Sequence, residues 1–215
     1  MKTGILFDLD GTLLDTLADL TDATNYALSQ FGFPERTQAE IRSFVGNGAW
    51  NQIRLSAPEG TDEQTVQQIL DTYKPYYAAH CQIKTKPYAG ISEALAAVAA
   101  KYPTAIVSNK PDIAVKPLCA EYFPGFFALG EKTGCPRKPA PDMVRQAMAA
   151  IGVDRCIYVG DSEVDVLTAQ NAGVPCLSVL WGFRDREEIE AAGGRHFCEN
   201  PRQLLEILEE MIYGQ

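Results

Sequence analysis

Two aspartates close to the amino terminus, Asp8 and Asp10, are the first residues whose types and spacing offer chemistry. They follow a short apolar run and precede Gly11 and Thr12. Two carboxylates this close repel each other unless a cation or a proton lies between them. Because side chains alternate along a strand, both can point the same way. The pair therefore predicts a site for a cation and for proton transfer, and Gly11 allows the chain to turn away.

Three further segments place polar side chains after predicted strands. They carry a hydroxyl, an amide, ammonium groups and carboxylates: Ser108, Asn109, Lys110, Lys138, Asp161 and Asp165. The carboxyl ends of parallel strands form the edge where such sheets bind ligands. Carboxylate oxygens suit a hard divalent cation such as Mg²⁺, and a phosphoryl group needs its negative oxygens neutralised. With the two aspartates, these residues predict a phosphoryl site in which Ser108 and Lys138 contact the phosphate.

The elements that must position these side chains alternate along the chain. Apolar runs predict strands, and helical patterns lie between them. Strands are expected at 2–9, 104–108, 126–129, 156–160 and 175–179, and helices at 90–101, 111–122, 140–151 and 163–172. Such alternation is typical of βαβ units, so the predicted fold class is α/β with a parallel sheet covered on both faces.

One interval departs from this alternation. Between 15 and 83 no strand is predicted, and the apolar residues from Leu17 to Phe31 follow helical spacing. Thr37 and Glu40 have the spacing of a capping box at the start of a second helix. We therefore predict a helical insert at 15–83 and a core formed by 1–14 and 84–215. An insert beside a site is expected to act as a mobile lid.

Composition and charge exclude several classes of protein. The 215 residues are 46% hydrophobic and 22% charged, as in ordinary globular proteins. The formal charge of −9 argues against broad contact with nucleic acid or anionic membranes. Neither a membrane span nor a signal peptide is predicted, because no apolar run is long enough. The six cysteines are scattered and expected to be reduced, so we expect a cytoplasmic protein.

At these motifs the chain resembles the haloacid dehalogenase superfamily of phosphotransferases. The stretches 8–12 and 160–165, together with Ser108 and Lys138, match the four motifs of that superfamily in order. The resemblance covers nearly the whole chain. It implies a Rossmann-like sheet with the first motif on its central strand, and it identifies the insert as a helical cap.

The resemblance also implies a role for each motif residue. Asp8 is expected to be the nucleophile that forms an aspartyl-phosphate, and Asp10 is expected to protonate the leaving oxygen and later activate water. Mg²⁺ is expected to be held by Asp8, the main-chain carbonyl of Asp10, and Asp161. Asp165 is expected to act behind these ligands or to position Lys138. The phosphoryl oxygens are expected to be bound by Ser108, Asn109 and Lys138.

Within the superfamily, the chain resembles the phosphoglycolate phosphatases most, through 44–48 and 137–139. The expected function is hydrolysis of a small phosphorylated metabolite, 2-phosphoglycolate, by a monomer or homodimer. Five residues are candidates for contacting its non-phosphate end: Arg42, Gly46, Asn47, Gly48 and Arg54. The alternatives are a sugar-phosphate phosphatase, a pyrophosphatase, a β-phosphoglucomutase-like enzyme and, outside enzymes, a receiver-type signalling domain. Receivers are shorter, however, and carry no helical insert after the first strand.

Overall fold

The computed structural model describes residues 1–214, and a parallel sheet lies at its centre. Its strands and two shorter ones are β1 (Thr3–Phe7), β2 (Leu14–Asp15), β3 (Lys86–Pro87), β4 (Thr104–Pro111), β5 (Phe127–Glu131), β6 (Arg155–Gly160), β7 (Cys176–Val179) and β8 (His196–Cys198). Six of them form the sheet in the order β5-β4-β1-β6-β7-β8, and all neighbours run parallel. The predicted α/β class with a parallel sheet is confirmed.

Ten α-helices accompany the strands in the described part of the chain. They are α1 (Leu17–Ser29), α2 (Gln38–Phe44), α3 (Gly48–Ser56), α4 (Glu63–His80), α5 (Ile91–Ala99), α6 (Asp112–Tyr122), α7 (Asp142–Ile151), α8 (Glu163–Ala172), α9 (Arg186–Ala191) and α10 (Leu204–Tyr213). A short 3₁₀ turn, Pro201–Gln203, precedes α10.

Strand β1 lies between β4 and β6 and is covered on both sides. Ile5, Leu6 and Phe7 are fully buried. Ile5 and Phe7 belong to one apolar cluster and Leu6 to another, as expected when successive side chains point to opposite faces. A strand buried on both faces has a continuous apolar sequence. This explains why a short apolar run was enough to predict β1, and it brings the next residue, Asp8, out at the carboxyl edge.

Helices α1 to α4 pack against one another and meet the core at that edge. Ala23 and Ala27 are fully buried on α1, which makes most of its helix contacts with α4. The predicted capping box at the start of α2 is confirmed, because Thr37 and Glu40 exchange side-chain and main-chain hydrogen bonds. The apolar residues of this helical group join the same cluster as Ile5 and Phe7.

The chain passes between the core and these helices through two short antiparallel strands. Strand β2 pairs with β3, and Asp15 lies opposite Lys86. The buried carboxylate of Asp19 accepts hydrogen bonds at 2.9–3.0 Å from the main-chain N–H groups of Lys84 and Thr85. It therefore ties the second crossing to α1. The sequence did not predict this ribbon, because two-residue strands are too short to show alternation.

Three elements near the carboxyl end, β8, α9 and α10, also lay outside the sequence prediction. The three-residue β8 carries too little pattern to be recognised. Helix α10 did carry a signal, since Leu204 and Leu208 are fully buried at helical spacing. None of the helices in residues 1–214 combines the length and apolar character needed to cross a bilayer. All six cysteines are free thiols.

Candidate active site

One cavity lies between the sheet and the helical insert. The residues that follow β1 and β6 meet there with those at the end of β4. The cavity has a volume of about 40 Å³. Tyr77 of α4, Gly46 and Gly48 line it from the insert. Five of the predicted site residues line it from the core: Asp8, Asp10, Ser108, Asn109 and Asp161. The fold thus gathers residues from three separate motifs.

An irregularity at the end of β4 turns several neighbouring residues toward the cavity. The pairing of β4 with β5 shifts register between Val107 and Pro111. In a regular strand alternate side chains would face away, yet Ser108, Asn109 and Lys110 all line the cavity. The Ser108 hydroxyl accepts a 3.3 Å hydrogen bond from the main-chain N–H of Lys110, and its own hydrogen stays available to a ligand.

Lys138 is buried beneath the cavity and joins two carboxylates. Its Nζ lies 2.9 Å from Asp8 Oδ2 and 2.8 Å from Asp165 Oδ1. It also donates to the hydroxyl of Tyr158 at 3.0 Å. Burial works against its charge, but the Asp165 and Asp8 carboxylates outweigh burial and raise the pKa of Lys138 well above its ordinary value. Lys138 therefore stays charged and holds Asp8 in one position.

The site contains more buried negative charge than its lysines offset. Burial raises the pKa of Asp8 well above its ordinary value; Lys138 opposes the rise, while Asp165 and Asp161 add to it. Burial and the nearby Asp165 raise the pKa of Asp161 to about 7. A nearby positive charge would stabilise the charged form of carboxylates whose pKa is raised in this way.

The donor groups at this point fit a hard divalent cation. Asp8, Asp161 and Asp165 each place a carboxylate oxygen within 4.8 Å of the others. Asp165 is already occupied, because Oδ1 binds Lys138 and Oδ2 accepts from the N–H groups of Asp161 and Ser162 and from the Ser162 hydroxyl. Asp8 and Asp161 each accept fewer hydrogen bonds than Asp165 does. An all-oxygen set of this kind suits Mg²⁺.

Asp161 is held in a close-packed pocket by the first motif and by the chain after β7. Its two oxygens accept from the Thr12 hydroxyl at 2.9 Å and from the Phe183 N–H at 2.8 Å. Gly11 has a φ of +80°, and a Cβ there would overlap the Asp161 carboxylate. Glycine is thus required at 11 both for its backbone conformation and for the close approach of Asp161.

Asp10 faces a different lysine from Asp8. Its Oδ1 lies 2.7 Å from Nζ of Lys110, and both side chains are largely buried. Strand β1 ends at Phe7, so Asp8 and Asp10 are not alternate positions of one strand. The expectation that strand alternation aligns them was wrong, although both line the cavity. The Asp10 carboxylate is thus turned to Lys110, and the carbonyl ligand that the resemblance implies for Asp10 stays a prediction.

Asn109 links the core to the insert. Its Nδ2 donates to the main-chain carbonyls of Gly46 at 3.0 Å and Lys138 at 2.9 Å, and its Oδ1 accepts from the Lys138 N–H. Both amide hydrogens are therefore engaged. The predicted contact of Asn109 with phosphoryl oxygens would have to come from its main-chain N–H group.

The five predicted specificity residues divide into two groups. Gly46 and Gly48 line the cavity, whereas Arg42, Asn47 and Arg54 do not. Arg42 donates to the main-chain carbonyls of Phe183 at 2.7 Å and Gly182 at 3.3 Å, so it bridges α2 and the core. Arg54 is exposed and lies beside the Trp50 ring.

Three further residues that sequence reasoning did not assign belong to the site or its surroundings. Tyr158 contacts Lys138, as described above. Arg184 binds Glu163 at 2.9 Å and donates to the main-chain carbonyls of Arg42 and Val45 at 2.8 and 2.7 Å, near the end of α2. Lys110 was noted as an ammonium after Asn109 but received no role. Of these three, only Lys110 could have been identified from the sequence, because it directly follows two predicted site residues.

The comparisons with known proteins agree on one family, but the relatives in it are named for two different substrates. Residues 5–179 match the family described as haloacid dehalogenase-like hydrolase. An N-acetylmuramic acid 6-phosphate phosphatase of Pseudomonas aeruginosa is 28% identical over 97% of this chain and 95% of its own. A phosphoglycolate phosphatase of Pseudomonas syringae pv. tomato is 32% identical over 98% of this chain and 78% of its own. A solved structure from Lactobacillus delbrueckii subsp. bulgaricus, described as a candidate phosphoglycolate phosphatase, is 40% identical with a TM-score of 0.90, covering 100% of both chains.

Proposed function

The chain belongs to the haloacid dehalogenase-like hydrolases, and from that premise we propose that it is a Mg²⁺-dependent phosphatase acting through a phosphorylated Asp8. One observation carries the proposal. Asp8 and Asp10 line one cavity, each held by its own buried lysine, Lys138 and Lys110. One carboxylate is thereby positioned for attack and the other for proton transfer.

The proposed reaction has two displacements at phosphorus. A carboxylate oxygen of Asp8 attacks, the bond from phosphorus to the ester oxygen breaks, and Asp10 gives a proton to the leaving alkoxide. Asp10 then takes a proton from water, the water oxygen attacks phosphorus, and the bond to Asp8 breaks to release phosphate. Ser108 donates to a phosphoryl oxygen, and the charge of Lys138 lies beside the Asp8 oxygen that it holds, so most of the catalysis comes from preorganised charge and hydrogen bonds.

Asp8, Asp161 and the main-chain carbonyl of Asp10 would hold Mg²⁺, which when bound supplies positive charge against the phosphoryl oxygens and the buried carboxylates. Asp165 is kept for positioning, because it fastens Lys138 and the start of α8. Asn109 joins the main chain of Lys138 to Gly46 of the insert. The receiver-type alternative no longer stands, since the chain belongs to a hydrolase family.

We propose 2-phosphoglycolate as the substrate, in the cytoplasm. Relatives named for phosphoglycolate support it, while one relative is named for N-acetylmuramic acid 6-phosphate. The enclosed part of the cavity, about 40 Å³, has space for only a few water molecules. Either ester therefore requires the insert to move, and a sugar bearing an acetamido and a lactyl group requires the larger displacement.

The test is phosphate release by the purified protein with Mg²⁺ and a panel of four compounds: 2-phosphoglycolate, N-acetylmuramic acid 6-phosphate, glucose 6-phosphate and pyrophosphate. We expect kcat/KM for 2-phosphoglycolate to exceed the others at least ~10-fold, about 1.4 kcal/mol of discrimination. EDTA should abolish release, and Mg²⁺ should restore it. A flat profile would reject the substrate and leave the phosphatase assignment standing. Full activity after exhaustive chelation would reject the Mg²⁺ dependence.

A further inference from the structure

Two polar groups at the cavity have donor capacity that the described residues do not use. Lys110 Nζ makes one hydrogen bond, at 2.7 Å to Asp10 Oδ1, and lies 4.6 Å from the centroid of the Tyr77 ring. An ammonium has three N–H donors, so at least one remains after the carboxylate and the ring face. The Tyr77 hydroxyl is buried and has no partner in residues 1–214. Buried donors are nearly always paired, which points to a missing acceptor.

The two donors come from different parts of the molecule. Lys110 lies at the end of β4 in the core, and Tyr77 lies on α4 of the helical insert. Both line the cavity. Their contact therefore forms only where the insert covers the core, which is where a bound substrate would be enclosed. Burial and the nearby Asp10 raise the pKa of Tyr77 well above its ordinary value, so its hydroxyl keeps its proton.

The other cations near the cavity are engaged. Lys138 is shared by Asp8 and Asp165. Arg184 is bound to Glu163 and to main-chain carbonyls at the end of α2. Lys110 is thus the lysine with a donor left for the part of a ligand that is not phosphate. To match an ammonium and a hydroxyl together, this part of the ligand needs a negatively charged hydrogen-bond acceptor.

We propose that Lys110 and Tyr77 bind the carboxylate of the substrate and so select phosphate esters of short 2-hydroxy acids. The inference rests on the proposed function. Asp10 must lie beside the leaving ester oxygen to protonate it, and Lys110 contacts Asp10 directly. In 2-phosphoglycolate one carbon separates that oxygen from the carboxylate. A carboxylate there is within reach of a lysine that keeps its bond to Asp10, and a longer or neutral ester places no acceptor at this point.

The test compares two esters of equal chain length, 2-phosphoglycolate and ethyl phosphate, of which only the first has a carboxylate. Lys110→Met should lower turnover of both esters, because it also removes the partner of Asp10, but we expect kcat/KM for 2-phosphoglycolate to fall at least ~20-fold more than that for ethyl phosphate. In Tyr77→Phe we expect a ~10-fold loss on 2-phosphoglycolate alone, mainly as a higher KM. Lys101→Met and Tyr213→Phe, at side chains outside the cavity lining, are the matched controls and should change neither ester.

Binding separates recognition from any effect on Asp10. In an Asp8→Asn background, calorimetry should show that Lys110→Met weakens 2-phosphoglycolate ~100-fold and leaves ethyl phosphate unchanged. Equal losses for both esters, in turnover and binding, would overturn the inference and leave Lys110 as a residue that only positions Asp10. If the wild-type protein cleaves both esters equally well, the inference fails while the phosphatase stands. If it cleaves neither, the proposed function fails and the inference falls with it.

Discussion

The core side and the insert side of the cavity are built differently. On the core side, the buried carboxylates have partners within the protein: Lys138 joins Asp8 to Asp165, and Asp161 accepts from the Thr12 hydroxyl and the Phe183 N–H. On the insert side, the walls are mainly aliphatic side chains, glycine backbone and two tyrosine rings, and the Tyr77 hydroxyl has no partner among the described residues.

This difference assigns two tasks to two regions. The network around Lys138 and Asp161, whose members are bound within the protein, keeps the reacting groups in place and needs no rearrangement during the reaction. A wall with unused donors gains its partners only from a ligand, so it can distinguish one ligand from another. We therefore expect changes in the network around Lys138 and Asp161 to affect all substrates. Changes at Tyr77 of the insert, or at Lys110 with its unused donor, should affect some substrates more than others.

The largest effect should come from the nucleophile. Asp8→Asn should lower phosphate release at least ~10⁴-fold for every ester, because an amide is a poor nucleophile. The fold should survive, since burial already disfavours the charge of Asp8 and the amide carries none. Release assays and thermal melting of the purified variant give the two readouts. Substantial turnover in the folded variant would remove Asp8 from the mechanism.

Lys138→Met should have the largest effect on stability. It would leave the carboxylates of Asp8 and Asp165 buried without their shared cation, and breaking a buried charge pair costs about 3–5 kcal/mol. Urea unfolding measures the loss. The matched control is Lys74→Met, at an exposed lysine of α4, which should cost no more than about 0.5 kcal/mol. A similar cost for both variants would mean that the core network is not what holds the site together.

A smaller effect is expected where the two regions are joined. Arg42→Met removes the hydrogen bonds from α2 to the carbonyls of Phe183 and Gly182, and we expect kcat/KM for 2-phosphoglycolate to fall ~10-fold. An activated ester, p-nitrophenyl phosphate, needs less enclosure and should lose less. Arg54→Met, at an exposed arginine of the same insert, is the control and should resemble the wild type. Identical kinetics in the two arginine variants would show that the Arg42 bridge does not contribute to closure.

The sequence alone predicted the α/β class and the residue types of the site. It could do so because both are local properties: β1 is an apolar run buried on both faces, and the polar residues come where such runs end. In a parallel sheet those ends meet at one edge. Asp8, Ser108 and Asp161 could therefore be proposed as neighbours without knowing any distance between them.

Only the tertiary structure decided which groups face each other. Asp10 and Lys110 are 100 positions apart, and nothing in their local sequence distinguishes that pairing from one between Asp10 and Lys138. Tyr77 appears as an ordinary core residue on an amphipathic helix until α4 is seen to meet the end of β4. Arg42 and Arg54 are equally plausible ligands in sequence, but one bridges to the core and the other lies at the surface. The physical reason is that periodicity determines which face of an element is buried, whereas the partner of a buried polar group depends on how separate elements pack.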